Sequence, residues 1–316
     1  MTSVVDFRSL LGRTSRTFDL SIPLLSEPHA DHLTLAYLLY RLADTLEDAE
    51  GKPRRERLAA LAQFRGVLKI LDPVAAIRVT TTWRRWKPSK HAGYVELIDA
   101  FPAMIDAVLD LNRSTRRIIV THLQRTVSGM EFFVGQSEDD GSFRLRSRDS
   151  LQKYCYVVAG IVGEMITELF ISGHSHLQAV AKTLRQHAAA FGEGLQLVNI
   201  LKDAQQDARW GRRYLPSCST RSEIIHLAQQ DLVKADRWIA ALETGSADPG
   251  MIAFGKLPVM LARATLDLLE RQGPGAKLSR SQVARIVHTV DPEFRLLGGV
   301  PAGLAPHCTG QIKALT

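Results

Sequence analysis

Two acidic pairs constrain this chain more than any other feature. Asp44-Thr-Leu-Glu-Asp48 and Asp203-Ala-Gln-Gln-Asp207 lie far apart, yet each sets two aspartates four residues apart inside an apolar, helix-like run. On a helix that spacing spans roughly 6 Å and brings both side chains to one face. The same faces carry Tyr37 and Arg41 before the first pair, and Gln196 and Asn199 before the second. Leu35, Leu38, Leu42 and Leu46 surround the first stripe, and Leu195, Val198, Ile200 and Leu201 the second. Buried carboxylates are costly unless cations offset them, and hard cations with oxygen ligands are their natural partners. One such pair alone reads as the solvated face of a surface helix. Two pairs, each extended by polar side chains among leucines, point instead to a shared site for Mg²⁺ and a diphosphate.

The remaining composition narrows the class. With 45% hydrophobic and 23% charged residues among 316, the chain can bury a large core, and strongly alternating strand runs are absent. The formal charge of +7 suits polyanionic substrates, anionic membranes or nucleic acid without choosing among them. Cys155, Cys218 and Cys308 have neither metal-site nor disulfide spacing, which favours a reducing compartment. The N-terminus lacks a signal-peptide core, and the apolar stretch Tyr156 to Gly173, interrupted by Glu164 and Glu168, reads as a buried helix rather than a membrane span. A cytoplasmic protein is expected, with peripheral attraction to a membrane surface as a second element. Short basic clusters (Arg54-Arg55-Arg57, Arg84-Arg85 with Lys87, Arg113 with Arg116-Arg117) match no nucleic-acid module and read as solvated helix ends. His174 and His176 read as turn residues rather than metal ligands.

Periodicity predicts helices from Ser26, as N-cap with Pro28 in the first turn, to near Gly51, and then over about 55–71, 93–110, 112–135, 149–172, 176–208, 221–243, 250–272 and 279–290. Residues 1–290 are expected to form one helical domain, and 291–316, rich in Gly and Pro, a loosely packed tail. Gly160 and Gly163 fall inside the 149–172 helix, where each costs about 1 kcal/mol relative to alanine. Close helix packing explains them, and so does a groove for an isoprenoid chain. The sequence leaves both open.

Several segments together resemble the squalene and phytoene synthases, most nearly the bacterial squalene and dehydrosqualene synthase-like enzymes. They are Ser15-Arg-Thr-Phe18, Ile22-Pro-Leu-Leu25, Ala36-Tyr37 through Asp48, Tyr154-Cys-Tyr-Val-Val-Ala-Gly160-Ile-Val-Gly163, and Gly192 through Asp203 to Asp207-Ala-Arg-Trp-Gly-Arg-Arg-Tyr-Leu-Pro216. The resemblance spans roughly residues 10 to 290 in order. It implies an all-α, class I isoprenoid-synthase-type helical bundle around a central cavity, and Mg²⁺-dependent head-to-head (1′–1) condensation of two prenyl diphosphates.

By the same resemblance, Asp44, Asp48, Asn199, Asp203 and Asp207 match metal and diphosphate ligands. Ser15, Phe18, Arg41, Val158, Gln196, Asn199 and Arg212 match substrate-binding positions, and Tyr37, Tyr154, Tyr214 and Arg41 catalytic ones. Farnesyl diphosphate is the expected substrate, because Asp-Thr-Leu-Glu-Asp looks closer to the squalene type, with squalene, dehydrosqualene or the cyclopropyl intermediate as product. The alternatives are phytoene-type coupling of two geranylgeranyl diphosphates, a one-substrate terpene synthase, and a non-catalytic relative acting in protein assembly. NADPH would serve a reduced product, although no glycine-rich dinucleotide fingerprint follows a predicted strand. Three positions depart from the family pattern: Val157 where a tyrosine is frequent, Lys202 for arginine, and Gln206 for glutamate. None removes an expected metal ligand.

Overall fold

A computed structural model describes residues 5–15 and 17–291. Most of the expected C-terminal tail, with Cys308, and Arg16 of the first family segment lie outside the described residues. The described chain is all-α. Its helices are α1 (Phe7–Thr14), α2 (Thr17–Ser21), α3 (His29–Glu47), α4 (Arg54–Ile70), α5 (Pro73–Trp86), α6 (Ala92–Asp99), α7 (Phe101–Asp110), α8 (Arg113–Gly135), α9 (Arg148–Cys155), α10 (Ile161–Gly173), α11 (Ala181–Arg209), α12 (Arg221–Thr244), α13 (Pro249–Gln272) and α14 (Arg280–Val290). Two strands of two residues, β1 (Phe143–Arg144) and β2 (Arg212–Arg213), complete the order.

Contacts gather these elements into two compact units. Among the described residues, the first holds 5–14 and Asp31–Phe143; the second holds 15, 17–30 and 144–291. The first unit is centred on Phe64, Trp83 and Phe101, whose rings pack at 5.2 to 6.3 Å between centroids. In the second, Trp238 stacks on Phe191 at 4.8 Å and its indole N–H donates to the Thr167 hydroxyl at 2.8 Å, so the buried polar tip is satisfied. The 29-residue α11 lies in that core, packed on α10, α12 and α13.

Helix ends follow local chemistry where the sequence signals were legible. Thr220 with Glu223 and Ser279 with Gln282 close reciprocal capping boxes at α12 and α14. Elsewhere the structure corrects the reading. The first long helix begins at His29; the Ser26 hydroxyl donates to Asp248 rather than capping it. The run 93–110 is two helices, because Pro102 has no N–H to continue the ladder of α6. α5 has no counterpart among the predicted helices, since Val, Ile and Thr weaken its propensity, although Asp72 caps it by accepting from the Val74 amide at 2.9 Å.

The run 148–173 is long and apolar enough to cross a membrane, with mean hydropathy 1.6, but 67% of its apolar window is buried. It is also interrupted: Tyr156–Gly160 form a π turn between α9 and α10. Close packing is the role of the glycines here. A Cβ on Gly163 would strike the Ala188 carbonyl, and one on Gly192 the Ala159 carbonyl, so α10 and α11 meet backbone to backbone. Gly66, inside α4, has nothing within 4 Å of its Cβ position.

Gly192→Ala should therefore lower the stability of the fold by about 2 kcal/mol or more, because a backbone carbonyl must move. Gly66→Ala should raise it by up to about 1 kcal/mol. Urea unfolding of both variants checks the contrast; equal effects would refute the backbone-contact account.

Candidate active site

In the first unit the acidic stripe lies in the core rather than in solvent. Asp44 is buried, and its spacing to Asp48 is kept past the end of α3 because the Asp48 amide donates to the Asp44 carbonyl at 2.8 Å. Arg41, one turn before, is 3% exposed. Its Nη1 reaches an Asp44 carboxylate oxygen at 3.4 Å, its Nη2 donates to the Tyr94 hydroxyl at 3.0 Å, and its Nε donates to the Thr14 carbonyl at 3.3 Å. The Tyr37 hydroxyl donates to that same carbonyl at 3.1 Å. Burial opposes the guanidinium charge, but Tyr37, Tyr94, Asp44 and Asp48 outweigh it and hold Arg41 above its ordinary range.

Tyr94, on α6, is a residue the motifs missed, and the Thr14 carbonyl is a backbone group that no side-chain pattern reports. Burial, then the neighbouring Asp44 and Asp48, push the Tyr94 phenol up, while Arg41 pulls the other way. His91, whose ring lies 4.5 Å from that of Tyr94, is pushed down by burial and then by Arg41.

In the second unit Ser15 accepts from the Phe18 amide at 3.1 Å and so caps α2, and Phe18 packs on Phe254 with centroids 6.2 Å apart. Along α11, Gln196 is 1% exposed and neither end of its amide has a hydrogen-bond partner among the described residues. The Asn199 Nδ2 is likewise buried and has no partner among the described residues. Asp207 is buried and Asp203 half-buried. Lys202, where the family pattern has arginine, places its ammonium 3.5 Å from both the Asn199 Oδ1 and the Asp203 Oδ2.

Gly211, with φ of 74°, ends this stretch in a left-handed turn after which Arg212 and Tyr214 are again buried. Tyr214 lies against Tyr154, ring centroids 5.0 Å apart, and Val158 is buried in the π turn. Tyr156, the neighbour of the departing Val157, turns its hydroxyl to Glu164 at 3.1 Å. The structure thus gathers Tyr37, Arg41, Asp44 and Asp48 in one unit. It sets Ser15, Phe18, Tyr154, Val158, Gln196, Asn199, Asp203, Asp207, Arg212 and Tyr214 in the other.

The donor set suits a hard cation. Among the described residues no three His, Cys, Asp or Glu side chains converge tightly enough to hold a metal alone. Mg²⁺ does not ask for that: it keeps waters and takes one or two carboxylates plus substrate phosphates. Paired carboxylates on each stripe, beside amides with unused donors and acceptors, fit that habit.

A further carboxylate escaped the motifs. Glu193, on α11, is raised to about 7 by burial and then by Asp231 and Glu164, against Lys234. A Cβ on Gly160 would come within 2.9 Å of its oxygen, so that glycine makes room for it. A raised acid binds its proton more tightly in the folded state. Its stabilising contribution is complete below the unfolded value of 4.5 and is lost as pH rises through about 7. Glu193→Gln should gain stability over the wild type on going from pH 5 to pH 8, by on the order of 1 kcal/mol after allowance for partial exposure. Urea midpoints at the two pH values decide it, and an unchanged difference would refute the assignment.

The family model described as squalene/phytoene synthase matches residues 11–220. A Botryococcus squalene synthase from Botryococcus braunii is 28% identical over 200 residues, 63% of this chain and 38% of its own length. The presqualene diphosphate synthase of Rhodopseudomonas palustris is 29% identical over 210 residues, 66% of this chain and 60% of its own. Among solved structures, TcSQS in complex with the ligand BPH1237 has a TM-score of 0.74 at 22% identity, covering 90% of this chain and 85% of that one, which is a likeness of fold.

Proposed function

The chain belongs to the squalene/phytoene synthase family, and from that premise we propose that it joins two prenyl diphosphates head to head, with residues 1–290 as a single catalytic domain. Farnesyl diphosphate is the substrate on this reading. The product is squalene, a dehydrosqualene-type C30 hydrocarbon or the cyclopropyl diphosphate that precedes them. The observations that carry it are a buried carboxylate on each stripe, Asp44 and Asp207, and on the second a Gln196 amide that is buried with neither end paired among the described residues. Most buried polar side-chain groups are paired, so an amide on α11 open at both ends suits a polar ligand. The relatives named as squalene and presqualene diphosphate synthases support the same chemistry.

Asp44, Asp48, Asn199, Asp203 and Asp207 would hold Mg²⁺, which when bound neutralises the charge developing on departing diphosphate. Arg41 is held by Asp44, Tyr94 and Thr14, which take three of its five N–H donors; it fixes the Asp44 carboxylate and keeps donors for the diphosphate of the substrate. Gln196 and Asn199 offer the diphosphate end of the substrate hydrogen bonds that the protein does not use. Arg212 adds charge there, and the Tyr154 and Tyr214 ring faces stabilise the allylic cation once water is excluded. NADPH is the reductant if the product is squalene.

Incubation with farnesyl diphosphate and Mg²⁺, with and without NADPH, should yield C30 products. C15 alcohols or cyclic hydrocarbons alone would replace coupling by a one-substrate terpene synthase, and C40 product from geranylgeranyl diphosphate alone would make it phytoene-type. Asp44→Asn and Asp203→Asn should each cut diphosphate release at least about 100-fold while the variants stay folded. Full release by both would refute the metal-ligand assignment, and no release by the wild type would leave a non-catalytic relative.

Gln196→Leu should separate binding from folding. Removing an unpaired buried amide should leave stability unchanged or raised, by up to about 1 kcal/mol, while KM for farnesyl diphosphate rises. Loss of stability with unchanged KM would refute the ligand assignment.

A further inference from the structure

Three of the six large hydrophobic side chains that stand exposed among the described residues fall within eight consecutive positions: Ile70 at 62%, Val74 at 59% and Ile77 at 54%. Scattered singly, such residues would need no explanation. Here their placement is fixed. α4 ends at Ile70, the left-handed Leu71 (φ 51°) turns the chain, and Asp72 caps α5 so that Val74 lies in its first turn. The opposite face of α5 supplies the core, through Ala75, Ala76 and Trp83. At 100° per residue, Val74, Ile77, Arg78, Thr81 and Arg85 share an arc about 100° wide on the outer face. The stretch from Lys69 to Lys87 carries five cations against one carboxylate. Arg84 is paired to Asp99 and Arg78 loosely to Asp72, whereas Lys69 and Arg85 make no ion pair among the described residues.

We propose that the α4–α5 corner is the surface by which this protein lies on an anionic lipid bilayer, with Ile70, Val74 and Ile77 entering the headgroup–acyl boundary and Lys69, Arg78 and Arg85 meeting the anionic headgroups. Apolar side chains on one corner with a basic surround are the makeup of interfacial membrane contacts. The charge argues against the other occupants. A second copy would bring the same excess of cations face to face with this one, which penalises a two-fold pairing. Nucleic acid would answer the cations but leave the isoleucines and valine without a role, since its backbone is read by charge. The inference does not depend on the coupling reaction, although a hydrocarbon product released beside lipid would have somewhere to go.

Flotation of the full chain with phosphatidylcholine vesicles, with and without phosphatidylglycerol, tests it. The wild type should float with the anionic vesicles only, and less as salt is raised. Ile70→Ser/Val74→Ser/Ile77→Ser should weaken binding at least about tenfold. Lys69→Glu/Arg85→Glu should weaken it more than tenfold, at about fivefold for each basic residue lost and further for each acid gained. Circular dichroism should show both variants folded, because every changed side chain is exposed. Asp44→Asn should float like the wild type, so a failure of the coupling chemistry and a failure of the membrane surface read out separately. Absence of flotation, equal flotation on phosphatidylcholine alone, or a triple variant that binds unchanged would each overturn the proposal. So would a wild type that does not float but dimerises, and becomes monomeric in the triple variant, because the corner would then be a homotypic interface.

Discussion

Negative charge placed inside an apolar helix must be offset where it stands, and the acidic stripe of the first unit is built around that need. Asp44 is buried among the leucines of α3, where an uncompensated carboxylate would cost several kcal/mol. Arg41 supplies the offset, and three elements hold Arg41. The end of α1 gives it the Thr14 carbonyl, α6 gives it the Tyr94 hydroxyl, and α3 itself gives it Asp44. Since Tyr37 shares the Thr14 carbonyl, one backbone acceptor fixes two side chains of the stripe. Loss of any of these contacts would leave a buried charge short of a partner, so the first unit's packing and its acidic face are one problem.

In the second unit position is set by absence of side chain. Gly163 and Gly192 let α10 and α11 touch through their backbones, and a methyl group at either would meet a carbonyl. That contact places the π turn Tyr156–Gly160 beside the middle of α11. The π turn also explains where the phenol next to Val157 goes. Tyr156 is held by Glu164 along its own helix, over Gly160, where its ring would clash with any Cβ. Tyr156 is therefore committed elsewhere and is no substitute for a tyrosine at 157.

The all-α fold and the polar stripes were legible because they are periodic. Residues at i, i+3 and i+4 share a face whatever the tertiary context, so Tyr37, Arg41, Asp44 and Asp48 could be grouped from spacing alone. What the sequence hid was non-periodic. Tyr94 lies 53 residues from the Arg41 it supports, and the Thr14 partner is a carbonyl common to every residue. α5 was missed although its Asp72-Pro73 start is a strong cap signal, because β-branched residues fill its interior and tertiary burial of Trp83 overrides their weak propensity. Glu193 looked like an ordinary charge on a helix; only its neighbours Asp231 and Glu164 make it unusual. The choice between packing and a groove at Gly160 and Gly163 needed coordinates, since the opposing surface, Ala188 and Glu193, comes from another helix.

The two stripes differ in how much of their hydrogen-bonding capacity is already used, and on the proposed reading that difference assigns them different work. Arg41 commits three of its five N–H donors to partners in the protein, so the guanidinium of the first stripe is held in one place. The second keeps capacity in reserve: among the described residues both ends of Gln196 and the Asn199 Nδ2 have no partner. The Lys202 ammonium donates to the Asn199 Oδ1 at 3.5 Å, a distance at which such a bond is weak, and pairs with the Asp203 carboxylate at 3.5 Å. A planar guanidinium at that position would offer a paired fork and hold its partners in one plane, whereas an ammonium is a compact charge that can turn toward a new anion. Departure of the leaving group would then recruit donors along α11. The lysine at 202 makes that recruitment less directional than an arginine would.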